Sequence, residues 1–355
     1  MLAAIAHPPH PPHCRAPWAQ RNGAMIRIGI IGLGWWGKQI VACLAHSPRF
    51  KVAAGCDIDT AMAEPFAAAH DFDLTGDYRE LLKNPELDAV AVVTPHALHE
   101  EMAVAAFSAG KQVFCEKPLA LTAASAERIL AACKKAGGVL GIGHERRYEP
   151  AMEEMRRLFE SNALGRILHM DANVSHNNFR KMDPSNWRRD PKHAPAGAWT
   201  ALGIHLADMF VSLAGKPTCV SARTASQIFP APTEDFVSAG IDFENGARGR
   251  ITCLSTPPFY ARFTLVCDQG WVEVQEGGNV DQGIPSSFVH CGPDGTWQAR
   301  SYEHANTVRM NFEAWADAVE DRAPYRFTTD ELMGNIRILD AVVRSAAGDG
   351  KPVAL

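Results

Sequence analysis

From Met25 onward, short runs of apolar residues alternate with longer segments in which apolar residues recur at helical spacing. The apolar runs contain no polar alternation, so they indicate strands that are buried on both faces of a parallel sheet. These runs predict strands over residues 26–31, 51–56, 89–93, 112–115 and 139–142, with helices up to residue 46 and over 60–70, 100–109 and 122–136. Strands and helices in this order predict an α/β domain with a doubly wound parallel sheet.

After about residue 150 the pattern changes to strands in which apolar and polar residues alternate. Glu244-Asn245-Gly246-Ala247 separates two such runs, and Asn-Gly at this place is typical of a hairpin turn. A second turn is predicted at Asp268–Gln269. The predicted elements are a helix over 150–162, strands over 166–176, 236–243, 248–254, 262–267 and 270–275, and helices over 307–320 and 329–346. Consecutive antiparallel strands predict a second α/β domain with a large open, mostly antiparallel sheet.

These patterns divide the chain into four parts. Residues 1–24 contain five prolines and no apolar stretch long enough for a signal peptide, so we expect a disordered extension. Adventitious metal binding by its histidines is the alternative, and Met25 is a candidate start of translation. The first domain is expected over 25–145, the second over 146–328, and a closing helix and tail over 329–355.

Composition narrows the class of protein. A chain of 355 residues with 46% hydrophobic and 21% charged residues suits a soluble protein of two domains. Its formal net charge of −5 provides no basic field for nucleic acid, and no apolar run reaches the length that spans a membrane. Nine scattered cysteines without a C-x-x-C pair fit reduced thiols, so we expect a cytoplasmic protein.

A glycine-rich hexapeptide lies between the first predicted strand and the first helix. Its residues form a G-x-G-x-x-G, and all six are predicted cofactor contacts: Gly32, Leu33, Gly34, Trp35, Trp36 and Gly37. The glycines permit a tight turn and a close approach of the backbone to a pyrophosphate. The start of the helix would face the phosphates with free N–H groups. A glycine turn without a ligand is the alternative.

An acidic residue follows at the distance that a dinucleotide site requires. Asp57 lies 20 residues beyond Gly37, directly after the second predicted strand. Its carboxylate would accept hydrogen bonds from the ribose hydroxyls and repel a 2′-phosphate. Ile58 and Asp59 follow without an arginine, so the sequence favours NAD over NADP as the cofactor.

Four motifs in combination match a known family. The hexapeptide, Thr94-Pro95-His96-Ala97-Leu98-His99, Glu116-Lys117-Pro118 and Leu202-Gly203-Ile204-His205 resemble the Gfo/Idh/MocA oxidoreductases, which are named for glucose–fructose oxidoreductase and inositol dehydrogenase. The resemblance runs from about Met25 to the C-terminus. It implies an N-terminal Rossmann domain that binds NAD, a C-terminal substrate-binding domain, and a homodimer or homotetramer formed through the C-terminal sheet.

The resemblance assigns roles to the residues that match these motifs. Lys117 would contact both substrate and nicotinamide, and Pro118 would hold the turn behind it rigid. Cofactor contact, or support of the cofactor site, falls to four further residues: Thr94, Pro95, His99 and Glu116. His205 is the candidate proton acceptor, since imidazole titrates near neutral pH. The alternatives are a solvated lysine and a histidine satisfied within the core.

One position departs from the family pattern. Enzymes of this family often have an aspartate four residues before the histidine, and Ala201 stands there in this chain. We expect His205 and Lys117 to handle the proton without that carboxylate, and weak or absent catalysis is the alternative. Asp208, three residues after His205, is expected to have a structural role.

Basic and aromatic residues are candidates for substrate contacts. The segment Gly143–Tyr148 takes the place of a family segment that often lines the substrate cavity, and a planar guanidinium suits an anionic group. Beside Lys117 and His205, the candidates are Arg146, Arg147, Arg180, Arg188 and Trp187. Solvated arginines and a packing role for the tryptophan are the alternatives. His96 and His99 lack a third ligand at motif spacing, so no metal is expected.

The motifs together predict an NAD-dependent dehydrogenase. It would oxidise a secondary hydroxyl of a sugar, polyol or cyclic diol, or reduce the matching ketone. A carboxylated cyclic dihydrodiol is an equal candidate if two of the arginines converge. A sensor that binds dinucleotide and metabolite without catalysis is the alternative from another class, and retention of Lys117 and His205 argues against it. Glycoside cleavage would need a second acid–base constellation, which the sequence does not show.

Overall fold

The first domain is built on a six-stranded parallel sheet. A computed structural model describes residues 25–355, so the predicted disordered extension over 1–24 lies outside the described residues. The strands are β1 (Ile26–Ile31), β2 (Phe50–Cys56), β3 (Asp73–Thr75), β4 (Ala89–Val92), β5 (Gln112–Cys115) and β6 (Leu140–Ile142). The helices are α1 (Trp35–Leu44), α2 (Thr60–Ala69), α3 (Tyr78–Leu82), α4 (His99–Ser108) and α5 (Ala123–Ala136). The order β3-β2-β1-β4-β5-β6 confirms the predicted doubly wound fold.

The strands that the sequence predicts are the buried ones, because burial on both faces requires an unbroken apolar run. Every residue of β4, β5 and β6 is buried, because helices cover both faces of the sheet. The unpredicted β3 is a three-residue edge strand without a buried residue, so it carries no apolar signal. The strand order reverses between β1 and β4, and their carboxyl ends open a crevice at that point.

The second domain has a nine-stranded sheet in the order β14-β13-β12-β11-β7-β10-β9-β8-β15. Its strands are β7 (Ile167–Ser175), β8 (Pro217–Ala225), β9 (Phe236–Phe243), β10 (Arg248–Leu254), β11 (Tyr260–Cys267), β12 (Gly270–Glu276), β13 (Ser286–Cys291), β14 (Trp297–Tyr302) and β15 (Val353–Ala354). The remaining helices are α6 (Pro150–Glu160), α7 (Asn178–Lys181), α8 (Ile204–Ala214), α9 (Thr307–Val319) and α10 (Thr329–Ala347). All neighbouring strands run antiparallel except β7 and β10, which confirms the predicted open, mostly antiparallel sheet.

The two faces of this second sheet differ. One face packs its apolar side chains against α6, α8 and α10. The opposite face carries exposed or half-exposed side chains, such as Leu168 and Tyr260. The homodimer or homotetramer expected through this sheet stays a prediction. The edge strand β14 is exposed at every position but its last, which explains why no apolar pattern indicates it.

Helix α9 corrects the predicted domain boundary. The sequence places residues 307–320 in the second domain, but α9 packs on the first sheet. Phe312 stacks on Phe114 of β5 with a ring separation of 3.7 Å, and the Trp315 indole donates a hydrogen bond to the Val139 carbonyl. The chain returns to its first domain after β14, a long-range contact that a local pattern does not reveal.

Helix α10 joins the two cores. Its first half packs in the first domain through Leu332 and Ile336, and its second half packs in the second domain through Leu339 and Val342. The Asn335 amide also donates a hydrogen bond of 2.9 Å to the Ile204 carbonyl at the start of α8. One helix therefore fixes α8 relative to the first sheet. No helix within residues 25–355 is long and apolar enough to cross a membrane.

Candidate active site

The glycines of the hexapeptide form a cradle between β1 and α1. Gly32 has a positive φ of 100°, and a Cβ there would lie 2.7 Å from the Val93 carbonyl oxygen. A Cβ on Gly37 would lie 2.0 Å from the Gly32 carbonyl oxygen, so both positions require glycine. The space beside Gly34 is open, and no side chain caps the start of α1 in the described chain. The backbone N–H groups there fit an anionic pyrophosphate.

Asp57 at the end of β2 is tied into this cradle. Its Oδ2 accepts a hydrogen bond of 2.8 Å from the Leu33 N–H, and its Oδ1 accepts one of 3.0 Å from the Asp59 N–H. The Leu33 side chain lies in the apolar core. The Leu33 side chain thus shapes the loop from within, and the contact of this residue with the cofactor stays a prediction.

The loop after β4 lies against the cradle. Val93 and Thr94 are the residues that a Cβ on Gly32 would meet, which places Thr94 and the following Pro95 beside the predicted phosphate site. His99 is fully buried, with Nδ1 2.8 Å from the Pro118 carbonyl and Nε2 3.0 Å from the Thr94 carbonyl. A neutral imidazole carries one N–H, so it donates one of these two bonds. His99 therefore supports the loops from behind, and its part in the cofactor site stays a prediction.

Lys117 reaches from the first domain to the second. Its peptide bond to Pro118 is cis. Its Nζ donates hydrogen bonds to the carbonyls of Ala201 at 2.8 Å and Thr200 at 3.4 Å. Both carbonyls belong to a π-helical turn, Trp199–Gly203, which interrupts the regular helical ladder just before α8. The freely solvated lysine of the alternative interpretation is wrong.

Burial weakens the hold of the Lys117 amine on its proton. It lowers the pKa of Lys117 to about 8, against the attraction of the Glu116 and Glu145 carboxylates, which works in the opposite direction. The amine is therefore charged at neutral pH and close to losing its proton. A group in this state can both donate a hydrogen bond and take part in proton movement.

His205 lies near the start of α8 and is almost fully buried. Its ring meets the His144 ring edge-on at 5.4 Å, and its Nε2 lies 4.0 Å from Glu145 Oε1. Burial, with the positive charge of Lys117, holds the pKa of His205 well below its usual value. The imidazole is therefore neutral at physiological pH and able to accept a proton.

Glu116 lies under the same pocket. Burial, reinforced by the neighbouring Glu145 carboxylate, raises the pKa of Glu116 to about 7. Its Oε2 accepts a hydrogen bond of 3.2 Å from the Lys117 N–H, and the Trp36 indole also lies beside the carboxylate. A Cβ on Gly143 would lie 2.4 Å from Glu116 Oε2, so the space that this glycine leaves is what admits the carboxylate. This geometry favours a positioning role for Glu116.

Two of the predicted substrate arginines are already paired. Arg146 forms a buried ion pair with Glu276. Arg147 holds both carboxylate oxygens of Asp208 at 2.6 Å, and its Nη1 lies 3.3 Å from Glu331. These guanidinium groups support the frame of the site, and their predicted contact with a substrate stays a prediction. The structural role expected of Asp208 is thereby explained.

Arg188 differs from the other candidates. Its guanidinium lies 4.2 Å above the Trp187 ring, and the His96 ring packs edge-on against that tryptophan at 4.7 Å. Within residues 25–355, no carboxylate lies within the 4.0 Å of an ion pair with Arg188. Burial lowers its pKa, an effect that the Glu116 charge opposes. Arg180, by contrast, is exposed and donates to the Thr256 carbonyl.

Comparison with known families decides the class of this pocket. Residues 26–144 match the model of the oxidoreductase family with an NAD-binding Rossmann fold. Residues 152–273 match the model of the Gfo/Idh/MocA C-terminal domain. The chain belongs to the Gfo/Idh/MocA oxidoreductase family. It is therefore an NAD(P)-dependent oxidoreductase that acts on CH–OH groups.

Relatives in this family act on different substrates. The scyllo-inositol 2-dehydrogenase (NADP(+)) of Bacillus subtilis is 28% identical over 92% of this chain and 95% of its own length. The 1-carboxy-3-chloro-3,4-dihydroxycyclohexa-1,5-diene dehydrogenase of Comamonas testosteroni is 29% identical over 70% of this chain. The alignments span only 59% to 65% of the length of several relatives, this one included at 61%.

A solved structure agrees in fold. Levoglucosan dehydrogenase in complex with NADH and levoglucosan superimposes with a TM-score of 0.82. The match covers 93% of this chain and 99% of that one at 22% identity. At this identity the likeness concerns the two-domain architecture.

Three residues of this Gfo/Idh/MocA pocket are absent from the sequence-based predictions. They are His144, Glu145 and His176. Burial lowers the pKa of both histidines to about 4 and raises the pKa of Glu145. Two of the three lie in the segment Gly143–Tyr148, in which the sequence pattern indicates the arginines as substrate contacts. Within the described chain, no group of three or more His, Cys, Asp or Glu side chains is arranged to hold a metal ion.

We predict that Glu149→Gln makes the stability of the protein less dependent on pH. Burial raises the pKa of Glu149 to about 8. The folded state thus retains a proton that the unfolded chain releases near pH 4.5, so the free energy of unfolding falls between about pH 4.5 and 8. The slope is at most about 1.4 kcal/mol per pH unit. Thermal unfolding should show the variant gaining melting temperature over the wild type from pH 5 to pH 9.

The matched control for this prediction is Glu127→Gln, which changes an exposed carboxylate on α5. Its melting temperature should follow that of the wild type at each pH. Parallel curves for Glu149→Gln and the wild type would contradict the prediction.

Proposed function

We propose that the protein is an NAD-dependent dehydrogenase that oxidises a secondary hydroxyl of a sugar, polyol or cyclic diol, or reduces the matching ketone. One observation carries the proposal. The amine of Lys117, from the first domain, donates a hydrogen bond to the Ala201 carbonyl in the second domain, and its charge helps to keep the nearby His205 imidazole neutral. The relatives named as inositol and dihydroxycyclohexadiene dehydrogenases support an alcohol substrate.

The residues of the pocket divide the chemistry between them. A bound nicotinamide supplies the acceptor for the hydride of the alcohol carbon. Lys117 donates a hydrogen bond to the substrate oxygen and stabilises negative charge on it. His205 accepts the hydroxyl proton, because its imidazole is neutral and lies at the same pocket. The proton and the hydride thus leave the alcohol to different acceptors, and a ketone remains. A non-catalytic sensor would have no use for this pair.

The choice of cofactor rests on the end of β2. The Asp57 carboxylate faces the cradle through its bond to Leu33, and Asp59 lies two residues further on. A 2′-phosphate at this place would meet two negative charges, and repulsion of this kind costs several kcal/mol. NAD is therefore the proposed cofactor, although the Bacillus relative is named as NADP(+)-dependent.

Asp57→Ala should reduce the ratio of NADH affinity to NADPH affinity. We expect the wild type to bind NADH at least about tenfold more tightly than NADPH, since each 1.4 kcal/mol is a factor of ten. The variant should lose NADH affinity and gain NADPH affinity, as measured by fluorescence titration. Asp73→Asn, which removes a charge from the exposed edge strand β3, is the matched control and should keep the wild-type ratio. Tighter binding of NADPH by the wild type would contradict the proposal.

Lys117→Met should abolish turnover and leave cofactor binding intact. Methionine matches the lysine side chain up to its last carbon and removes the amine that donates, so we expect a loss of about a thousandfold or more in kcat. The measurement is absorbance at 340 nm with NAD and a panel of polyols and cyclic diols, together with a fluorescence titration of NADH. Lys135→Met, on the exposed surface of α5, should behave as the wild type. An active Lys117→Met enzyme would refute the assigned role.

A second candidate substrate class follows from Arg188. This guanidinium is held against Trp187, is partly buried and has no carboxylate partner within the described chain. A charged donor in this state suits the carboxylate of a carboxylated cyclic dihydrodiol. The relative from Comamonas testosteroni is named for a substrate of this class.

Arg188→Gln should separate the two substrate classes. If a carboxylate binds there, kcat/KM for a carboxylated cyclohexadiene diol should fall about ten- to a hundredfold, the worth of a hydrogen bond to a charged group. The value for a neutral polyol should change little. Arg180→Gln is the control, because that arginine is exposed. Equal losses for both substrates would argue against an anion site at Arg188.

A further inference from the structure

Glu145 is a buried carboxylate that the proposed reaction does not yet use. It lies on the short 3-10 turn that follows β6 and is 5% exposed. Its Oε1 lies 4.0 Å from His205 Nε2, which is too long for a hydrogen bond and short enough for a strong charge interaction. Among the described residues, His205 is the one basic side chain within 4.0 Å of this carboxylate.

The other carboxylates near His205 are committed elsewhere. Asp208, on the same helix as His205, is held by Arg147 through both oxygens. Glu116 accepts a hydrogen bond from the Lys117 N–H. Ala201, one turn before His205, contributes only its carbonyl, which receives the Lys117 amine. Glu145 is therefore the carboxylate left to serve the imidazole.

We propose that Glu145 and His205 act as a pair that holds the proton released by the substrate, with Glu145 as the positioning residue. The proposal rests on the dehydrogenase function proposed above. The O–H bond of the substrate breaks as an N–H bond forms on His205 Nε2. The carbon–hydrogen bond gives its electron pair and hydrogen to the oxidised nicotinamide, and the C=O bond forms. The Glu145 carboxylate stabilises the imidazolium, or takes its proton, until the proton passes to solvent.

The charges and pKa shifts around Glu145 and His205 agree with the proposal that they act as a pair. Every other cationic or basic neighbour works against a charge on His205, and Glu145 is the negative group on the side of Nε2. The titratable and charged groups that face the pair are Lys117 after β5, His144 and Arg146 on the turn after β6, Glu116, Glu149, Glu276 on β12 and, beyond His144, Asp208 on α8. Burial raises the pKa of the Glu145 carboxyl, and burial with the Lys117 charge lowers the pKa of His205, so the two shifts bring the proton affinities of the pair towards each other.

The test is the pH profile of Glu145→Gln. Without the carboxylate the pair becomes a lone imidazole of low proton affinity, which is a weaker base. We expect kcat for alcohol oxidation to fall about ten- to a hundredfold with little change in KM. The acid limb of the kcat profile should also move to lower pH. A structural role would not shift that limb. NADH affinity should stay near the wild-type value.

Two further variants show that Glu145 acts through His205. In a His205→Asn background, Glu145→Gln should cost little more, because two residues that act as a unit are not additive. Glu145→Asp keeps a carboxylate and should keep the acid limb at its wild-type place with partial activity. Glu127→Gln is the control, since it changes an exposed carboxylate on α5, and its acid limb should stay in place.

The outcomes separate this proposal from the proposed function. An active wild type with an unshifted limb in Glu145→Gln would overturn the pair and leave the dehydrogenase function standing. An undiminished effect of Glu145→Gln in the His205→Asn background would likewise overturn it, as would Glu145→Asp behaving like Glu145→Gln. A wild type without NAD-dependent activity on any polyol or diol would overturn the function and the pair with it.

Discussion

The hydrogen bonds from Lys117 to the carbonyls of Ala201 and Thr200 connect the two halves of the site. The amine comes from the carboxyl end of a strand in the first sheet, and the carbonyls come from the turn that leads into α8. His205 follows that turn directly, so the contact that anchors the amine also sets the place of the imidazole. The π-helical turn and the tie from Asn335 on α10 to α8 keep this geometry fixed. The pocket thus depends on a domain contact more than on either domain alone.

Burial then sets the charge of each group in the pocket. Removing charged side chains from water is costly, and for Arg146 and Arg147 that cost is offset by pairing with carboxylates. The groups that are left without such partners change their proton affinity instead, which is why His205 is neutral and Lys117 loses its proton near pH 8. The ion pairs of Arg146 and Arg147 therefore serve as the frame, and the unpaired groups are those to which we assign the chemistry.

The features of this arrangement that local sequence patterns encode can be predicted from the sequence. Unbroken apolar runs predict the first sheet, and the spacing from Gly37 to Asp57 predicts the dinucleotide cradle. Contacts between residues that are distant in the chain cannot be predicted in this way. Arg146 and its partner Glu276 are 130 residues apart, and nothing near either one reveals the other. The exposed strand β14 and the packing of α9 on the first sheet cannot be predicted for the same reason. Both are determined by contacts with distant segments and not by a local apolar pattern.

The alanine at position 201 shows where such reasoning can mislead. The anchoring of Lys117 uses the backbone carbonyl of this residue, so any side chain there would leave the amine in place. A carboxylate near His205 acts through its distance from the ring, and the electric interaction does not depend on the element that supplies it. Glu145 meets this condition from the turn after β6, more than fifty residues before His205 in the chain. A residue that a motif lacks can therefore be replaced by one from another element, and we propose that Glu145 replaces the carboxylate absent at position 201.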